Sequence, residues 1–487
     1  MIRLKHDAHP DRRTFLRLLL SGLGAGAAAL AVPPLGLAAK PGDPAVLCTE
    51  GDPASFTASD PASRGRFLIF SDVHFDPFAD PSRVKALAAA PAGSWREILA
   101  APGQGLGPYG KDTGDALFQS FLDDMARRLP DPDFLLFPGD MLCHDFWTLY
   151  PRLSGDASPQ GLLAFIAKTA EYFLTEVTRR FPGASLYPAL GNNDSAEGDY
   201  GIAPQSPFLL ATAPLAARLA LKDDASRARF LESYPRLGCY SLTLPGPAGA
   251  RLVVFNNIFW TKRSPHQDAG AAVRDFLERE LDAAARQGVK VWLMGHVPPG
   301  DNTKATATKF RKTGKDVYDP LLTGGWSGVH AELLVRHADT VRASLAGHVH
   351  RDEFRLVSPW PGEAPVSALR MAPSISPITG NNPGYQVYAY DRRTMDLLDQ
   401  TTHYLDLGAQ SPAWAEEYVW SRAYGRGLRA PKDWQEMYQE LLTCPERRAA
   451  FARGFDLRSR HVREVTRRTF PVVWDSLGLS PGGPAGT

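Results

Sequence analysis

Five apolar runs in this chain each stop at a residue able to bind a metal ion. "FLIF" runs into Ser71-Asp72-Val73-His74, "FLLFP" into Gly139-Asp140, and "YPAL" into Gly191-Asn192-Asn193-Asp194. "VWLM" runs into Gly295-His296, and "ASLA" into Gly347-His348-Val349-His350. A lone Asp-x-His or Gly-Asp pair arises by chance, and a lone histidine is more often a core or surface residue than a ligand. Five in succession, usually beside a glycine that lets the backbone turn closely, form a pattern. Imidazoles, carboxylates and an amide oxygen make a mixed nitrogen and oxygen set, suited to zinc, iron or manganese rather than calcium. Two such ions roughly 3.5–4 Å apart share one carboxylate, bind two phosphoryl oxygens and lower the pKa of a water between them.

The elements that must position these residues are legible around them. The runs at 66–70, 133–137, 185–190, 251–255, 289–294 and 340–346 have strand length, and their unbroken apolar character predicts burial on both faces. Amphipathic stretches at 115–129, 161–181 and 271–287 predict helices between them. Strands alternating with helices imply a layered α/β architecture, and in such sheets ligands gather where strands end. "VSALRMA" and "YQVYAYD" read as further strands. From 411 onward, "SPAWAEEYVWSRAYGRG" and "PKDWQEMYQELLTCPERRAAFARGF" predict helices, each with a proline at its start. The organisation expected is a linker over 40–65, a catalytic domain over 66–410, a helical subdomain over 411–470 and a tail over 471–487.

The set Asp72-x-His74, Gly139-Asp140, Gly191-Asn192, Gly295-His296 and Gly347-His348-x-His350 resembles the calcineurin-like metallophosphoesterase superfamily. Within it, "GDMLCHDFW", "GHVPPG", "GHVHRDEF" and "APSISPITGNNPGYQVYAYD" are similar to the acid sphingomyelinase-like phosphodiesterases. The resemblance spans roughly 66–470 and implies a four-layer αββα sandwich with a C-terminal helical appendage. It implies two divalent ions, zinc foremost with iron or manganese as alternatives. One would be held by Asp72, His74, Asp140 and His350, the other by Asp140, Asn192, His296 and His348, with Asp140 bridging. It further implies phosphodiester hydrolysis by metal-activated hydroxide, with His144 as general acid for the leaving alcohol. Asn193 stands where the superfamily's loop carries a histidine. An amide donates a hydrogen bond to a phosphoryl oxygen but delivers no proton near neutral pH, so Asn193 is expected to orient substrate and His144 to carry the acid role. The same Gly-Asn-Asn-Asp loop resembles that of vacuolar endopolyphosphatases, which keeps polyphosphate and phosphomonoesters as alternative substrates. A non-catalytic metal- or phosphoester-binding protein is the reading from another class. Asn382 and Tyr385 are expected to line the substrate pocket, and Asp194 to cap a turn, with the orienting of neighbouring loop groups as its alternative. Asp352 and Glu353 are open between supporting the ligands and forming surface salt bridges.

The rest of the chain bounds these expectations. It has 487 residues, 54 basic against 53 acidic, for a net charge of +1, which argues against a nucleic-acid surface built on bulk charge. Arg12 and Arg13 precede a weakly apolar, Gly/Ala-rich run broken by Pro33 and Pro34 and ending near Ala38 and Ala39. Residues 1–39 therefore read as a signal peptide resembling the twin-arginine type rather than as a membrane anchor. That implies the twin-arginine machinery as a partner, export in the folded state, a periplasmic or secreted destination and no transmembrane helix in the mature chain. Between cleavage and the first strand lies one cysteine, Cys48, too little for a disulfide-tied lipid-handling module. This shifts the expected small-molecule substrate from membrane sphingomyelin toward soluble phosphodiesters, nucleotides or polyphosphate. Four cysteines, Cys48, Cys143, Cys239 and Cys444, permit one or two disulfides of undetermined pairing, with Cys143 expected as a buried thiol.

Overall fold

The computed structural model describes residues 63–100, 105–428, 433–461 and 465–481. The signal segment, most of the linker and Cys48 lie outside these residues. In chain order the first strands are β1 (Arg64–Ile69), β2 (Phe134–Phe137), β3 (Ser185–Pro188), β4 (Tyr240–Thr243), β5 (Arg251–Val254) and β6 (Val291–Met294). They are followed by β7 (Val341–Ala346), β8 (Glu353–Val357), β9 (Ser367–Met371), β10 (Gly384–Asp391), β11 (Leu397–Leu405), β12 (Trp414–Val419) and β13 (Gly478–Leu479).

These strands make two mixed sheets, one ordered β12-β11-β10-β1-β2-β3 and the other β13-β8-β9-β7-β6-β5-β4. Side-chain alternation shows how the layers stack. In β1, Phe67 faces the second sheet, its ring 5.0 Å from Trp292 of β6. Phe70, three residues on, faces the other way onto Phe121 of the helix Asp115–Arg128. In β2, Phe134 likewise meets Trp292 while Phe137 meets Phe173 of the helix Pro159–Arg180. Helices Gly270–Gln287 and Trp326–Arg336 pack against the second sheet. The result is the α/β sandwich with two central sheets and helical outer layers. Both faces of β2 and β6 are fully buried, which is why "FLLF" and "VWLM" show no polar alternation.

The topology places the strand ends together. β1, β2 and β3 are parallel neighbours in one sheet, and β6 and β7 are parallel neighbours in the other. Loops that follow parallel neighbours emerge on the same edge, so five separate sequence motifs share one rim.

The C-terminal third differs from expectation. Trp414–Val419 is an edge strand paired antiparallel with β11, and only the short helix Trp420–Tyr424 follows it. The one buried side chain in that strand is a carboxylate, Glu417, so no apolar period marks it. The expected tail also carries structure: Phe470–Leu477 is a helix, and Gly478–Leu479 adds a parallel strand to β8. Helices Asp433–Thr443 and Pro445–Phe455 form as expected. Trp474 joins them to the sheet, its ring 5.9 Å from Phe354 of β8 and 5.1 Å from Tyr438. Cys143 and Cys239 are buried free thiols, and Cys444 is disulfide-bonded. Among the described residues no helix is long and apolar enough to cross a membrane.

Candidate metal centre

The chain turns sharply as it leaves each strand. Asp72, His74, Asp140, His348 and His350 all have positive φ, between 45° and 70°. Such backbone is unfavourable for a residue with a Cβ and persists only where surrounding contacts enforce it. Here those contacts are between loops: Asp72 N–H donates to the Gly139 carbonyl at 3.0 Å, and His74 N–H to the Asp140 carbonyl at 2.9 Å. Two glycines permit the close approach. A Cβ on Gly191 would stand 2.1 Å from the Asp140 carboxylate, and one on Gly347 would stand 2.6 Å from that of Asp72.

Six of the seven expected ligands fall into two groups, Asp72 with His74 and His350, and Asp140 with His296 and His348. Within each group the potential ligand atoms lie within 4.8 Å of one another. Asn192, the seventh, turns its Oδ1 to His296 Nε2 at 3.1 Å and to His348 Nδ1 at 2.9 Å. Asp140 Oδ2 lies 3.4 Å from His74 Nε2 and 3.3 Å from His296 Nε2, between the groups. The carboxylate expected to bridge thus lies within reach of both groups.

The chemistry of the donor set tests whether cations fit. His74 Nδ1 faces the Leu142 carbonyl at 3.1 Å, and His296 Nδ1 faces the Pro138 carbonyl at 2.9 Å. A carbonyl only accepts, so each Nδ1 carries a proton, and in the neutral ring each Nε2 presents a lone pair. Those lone pairs are aimed at Asp140 Oδ2 and, for His296, also at the amide oxygen of Asn192. Acceptors converging on acceptors repel, and a cation placed among them reconciles the arrangement. The site's fields agree. Burial alone would lower His296, but the Asp140 charge more than reverses this, raising it to about 9; what draws a proton there also draws a metal ion. Burial holds His74 down at about 4 and His348 at about 3, so both imidazoles are neutral and able to ligate. Burial would raise Asp72 and Asp140, yet His350 keeps Asp72 at about 2 and His296 keeps Asp140 well below the usual carboxylate range.

His144 sits at the edge of this cluster, its ring stacked 4.2 Å from that of His74. Its Nδ1 donates to Asp112, 3.0 Å away, and its backbone N–H donates to the same carboxylate at 2.8 Å. Burial would lower His144, but the Asp112 hydrogen bond and charge raise it to about 9. The imidazole thus holds a proton at neutral pH, and Asp112 engages its Nδ1 rather than its Nε2. Sequence reasoning misses Asp112. It lies in a loop between elements, in "YGKDTG", where no periodicity or glycine-strand boundary marks it.

Other expected site residues take different places. Asn193 is 1% exposed, donates its backbone N–H to Asp140 Oδ1 at 2.8 Å and its amide to Asp140 Oδ2 at 3.2 Å. Expected to orient substrate, it braces the Asp140 carboxylate. Asp194 does more than cap a turn: its carboxylate accepts from the N–H groups of Gly191, Asp140, Met141 and Leu142, tying two ligand loops together. Asn382 is buried between Tyr109, Leu407 and Leu457, and Tyr385 is buried with its hydroxyl on Asp124. Asn382 ties its loop to Tyr109 and Leu457, and Tyr385 ties β10 to the helix Asp115–Arg128. Asp352 accepts from Thr402 and Tyr418, and Glu353 pairs with Arg355 and Thr303, so both sit in buried networks rather than on the surface.

The profile of the calcineurin-like phosphoesterases matches residues 65–352. Among curated proteins, the chain is 28% identical to acid sphingomyelinase-like phosphodiesterase 3b of Homo sapiens, over 75% of this chain and 77% of that one. It is 24% identical to cyclic GMP-AMP phosphodiesterase SMPDL3A of Mus musculus, over 82% and 85%. It is 27% identical to sphingomyelin phosphodiesterase of Homo sapiens, over 77% of this chain and 57% of that one. A solved dimetal phosphatase from Danio rerio aligns with 70% of this chain and 95% of its own at 12% identity, with a TM-score of 0.38, too loose to carry an argument.

Proposed function

The chain belongs to the calcineurin-like phosphoesterase family, and from that premise we propose an exported, dinuclear-metal hydrolase that cleaves phosphodiesters in preference to other phosphoesters. The observation that carries the reading is Asp140 Oδ2 standing 3.4 Å from His74 and 3.3 Å from His296, a shared carboxylate between two ligand groups. Asp72, His74, Asp140 and His350 would hold one ion, and Asp140, Asn192, His296 and His348 the other. Two such ions supply Lewis acidity toward phosphoryl oxygens and lower the pKa of water.

The chain's own residues do the rest. Asn193 and Asp194 fix the Asp140 carboxylate and the loop that bears it, so the site is ordered before substrate arrives. Asp112 orients His144 and keeps its proton in place at neutral pH. His144 Nε2 then gives that proton to the departing ester oxygen, which matters most for an alcohol leaving group of high pKa. The preference for diesters rests on the relatives, whose names specify phosphodiesterases. The export half rests on Arg12, Arg13 and the apolar run behind them.

The test compares hydrolysis of a chromogenic phosphodiester with its matching monoester by the metal-loaded protein. We expect the diester to be cleaved with the higher kcat/KM. A higher value for the monoester would overturn the diesterase reading.

A further inference from the structure

Three residues outside the ligand set close a ring around one half of the site. Asn192 donates its Nδ2 to Asp199 Oδ1 at 2.7 Å. A carboxylate only accepts, so this bond dictates which way the amide is turned: NH₂ toward Asp199, Oδ1 toward His296 and His348. Asp199 Oδ2 in turn accepts from Arg263. The Arg263 guanidinium lies over the ring of Tyr200, 4.3 Å from its centroid. The Tyr200 hydroxyl reaches His348 Nε2 at 3.4 Å, and His348 Nδ1 faces Asn192 Oδ1 at 2.9 Å. The ring is closed once more by the backbone, with Tyr200 N–H donating to the Asn192 carbonyl at 2.7 Å.

We propose that Asp199, Tyr200 and Arg263 form a strap that positions Asn192 and His348 to hold one of the two ions, leaving the other to Asp72, His74 and His350. The inference rests on the dinuclear reading above. Each end of the strap acts on one ligand. Asp199 removes the ambiguity of a ligand whose oxygen and nitrogen ends differ only in chemistry. Tyr200 engages the one nitrogen of His348 that does not face Asn192, so the ring cannot swing its Nδ1 away without losing that contact. Arg263 joins the two arms. An isolated exposed Arg–Asp pair contributes little to stability, and the Arg263 side chain is 58% exposed. Its value here is geometric: one planar group pairs with a carboxylate at its edge and packs on an aromatic face, so both arms are held by the same side chain. Tyr200 sits at φ 61°, an unfavourable conformation for an aromatic residue that these contacts enforce.

Partners that orient metal ligands typically affect metal affinity by roughly 10–100-fold when removed. The experiment measures metal content of the full chain after dialysis against graded chelator, for wild type and for Asp199→Ala, Tyr200→Phe, Arg263→Ala and Arg263→Lys. Wild type should retain two equivalents. Asp199→Ala should lose one of the two at a chelator concentration roughly 10–100-fold lower, with the other unmoved. Arg263→Ala, a change to an exposed side chain, should shift the same equivalent in the same direction, and Arg263→Lys should recover part of the loss. Melting curves in excess chelator should match wild type for the Arg263 variants, which separates positioning from folding. Two retained equivalents in all variants, released together with those of wild type, would overturn the strap alone. A wild type that never holds a second equivalent would overturn the dinuclear reading and the strap with it.

Discussion

His144 and Asp112 divide the proton chemistry between them. In the proposed mechanism the imidazole moves the proton, and the carboxylate governs the pH up to which it has one to move. Replacing His144 with alanine should lower kcat on an alkyl diester by roughly 10²–10⁴-fold, while metal content stays at the wild-type level. A nitrophenyl ester, whose leaving group needs no proton, should suffer less; equal losses on both would remove His144 from the acid role. Asp112→Asn acts differently. Asp112 raises the His144 pKa to about 9, so the protonated acid persists to that pH and the rate falls as pH rises through it. Without the carboxylate, burial, which lowers the pKa, is opposed only by the charges of Asp140 and Asp199, so the alkaline limb of the kcat profile should move to lower pH. An unmoved limb would show that another group sets it. At this scale the candidate ligands are legible in the sequence and the residues that contact them are not. Asp72, Asp140, His296 and His348 each follow an apolar run within a few residues, whereas Asp112, Asp199 and Arg263 sit mid-loop and meet their partners only through the fold. Sequence reasoning puts Asn193 beside the ligands but facing substrate, because its loop position alone does not reveal that its amide turns inward to Asp140.

At the scale of elements, the loops after β2 and β3 behave as one unit because Asp194 accepts four backbone N–H groups from both. Removing it leaves buried donors without a partner, each at a cost of order 1–3 kcal/mol. Asp194→Ala should therefore destabilise the metal-free protein by about 3 kcal/mol, read from denaturant unfolding in chelator, and should weaken both ions, since the Asp140 loop moves. A variant with wild-type stability would mean the two loops hold without it. The strands before these loops are plain from their unbroken apolar runs. β12 is not, since a buried Glu417 where an apolar side chain would mark the inward face makes "WAEEYV" look like an amphipathic helix. Periodicity reports burial only when the buried residues are apolar.

For the whole molecule, the two sheets each contribute part of a site that neither could complete. Asp72, Asp140 and Asn192 come from one sheet's rim, and His296, His348 and His350 from the other's. Ions bound between them should cross-link the sandwich. Each ion at a free concentration one hundred times its Kd should add about 2.7 kcal/mol to the folded state. Exhaustive chelation should thus lower Tm markedly and reversibly on re-addition of metal; an unchanged Tm would argue that the rim is fully formed without ions. The layered architecture follows from strand and helix alternation, but the tie between the C-terminal helices and the second sheet, through Trp474 and the parallel pair β13–β8, depends on residues distant in sequence and has no local sign.

Buried ligands bind a metal to its provenance. Asp72, His74 and His296 have no exposed surface and Asp140 is 1% exposed, while His348 and His144 are half-buried, so ions seated among them would meet solvent and substrate on that side alone. Such a protein takes the ions available where it folds. Under the proposed export in the folded state, the chain would reach its destination with the metal of the compartment that made it, whatever the surroundings there supply.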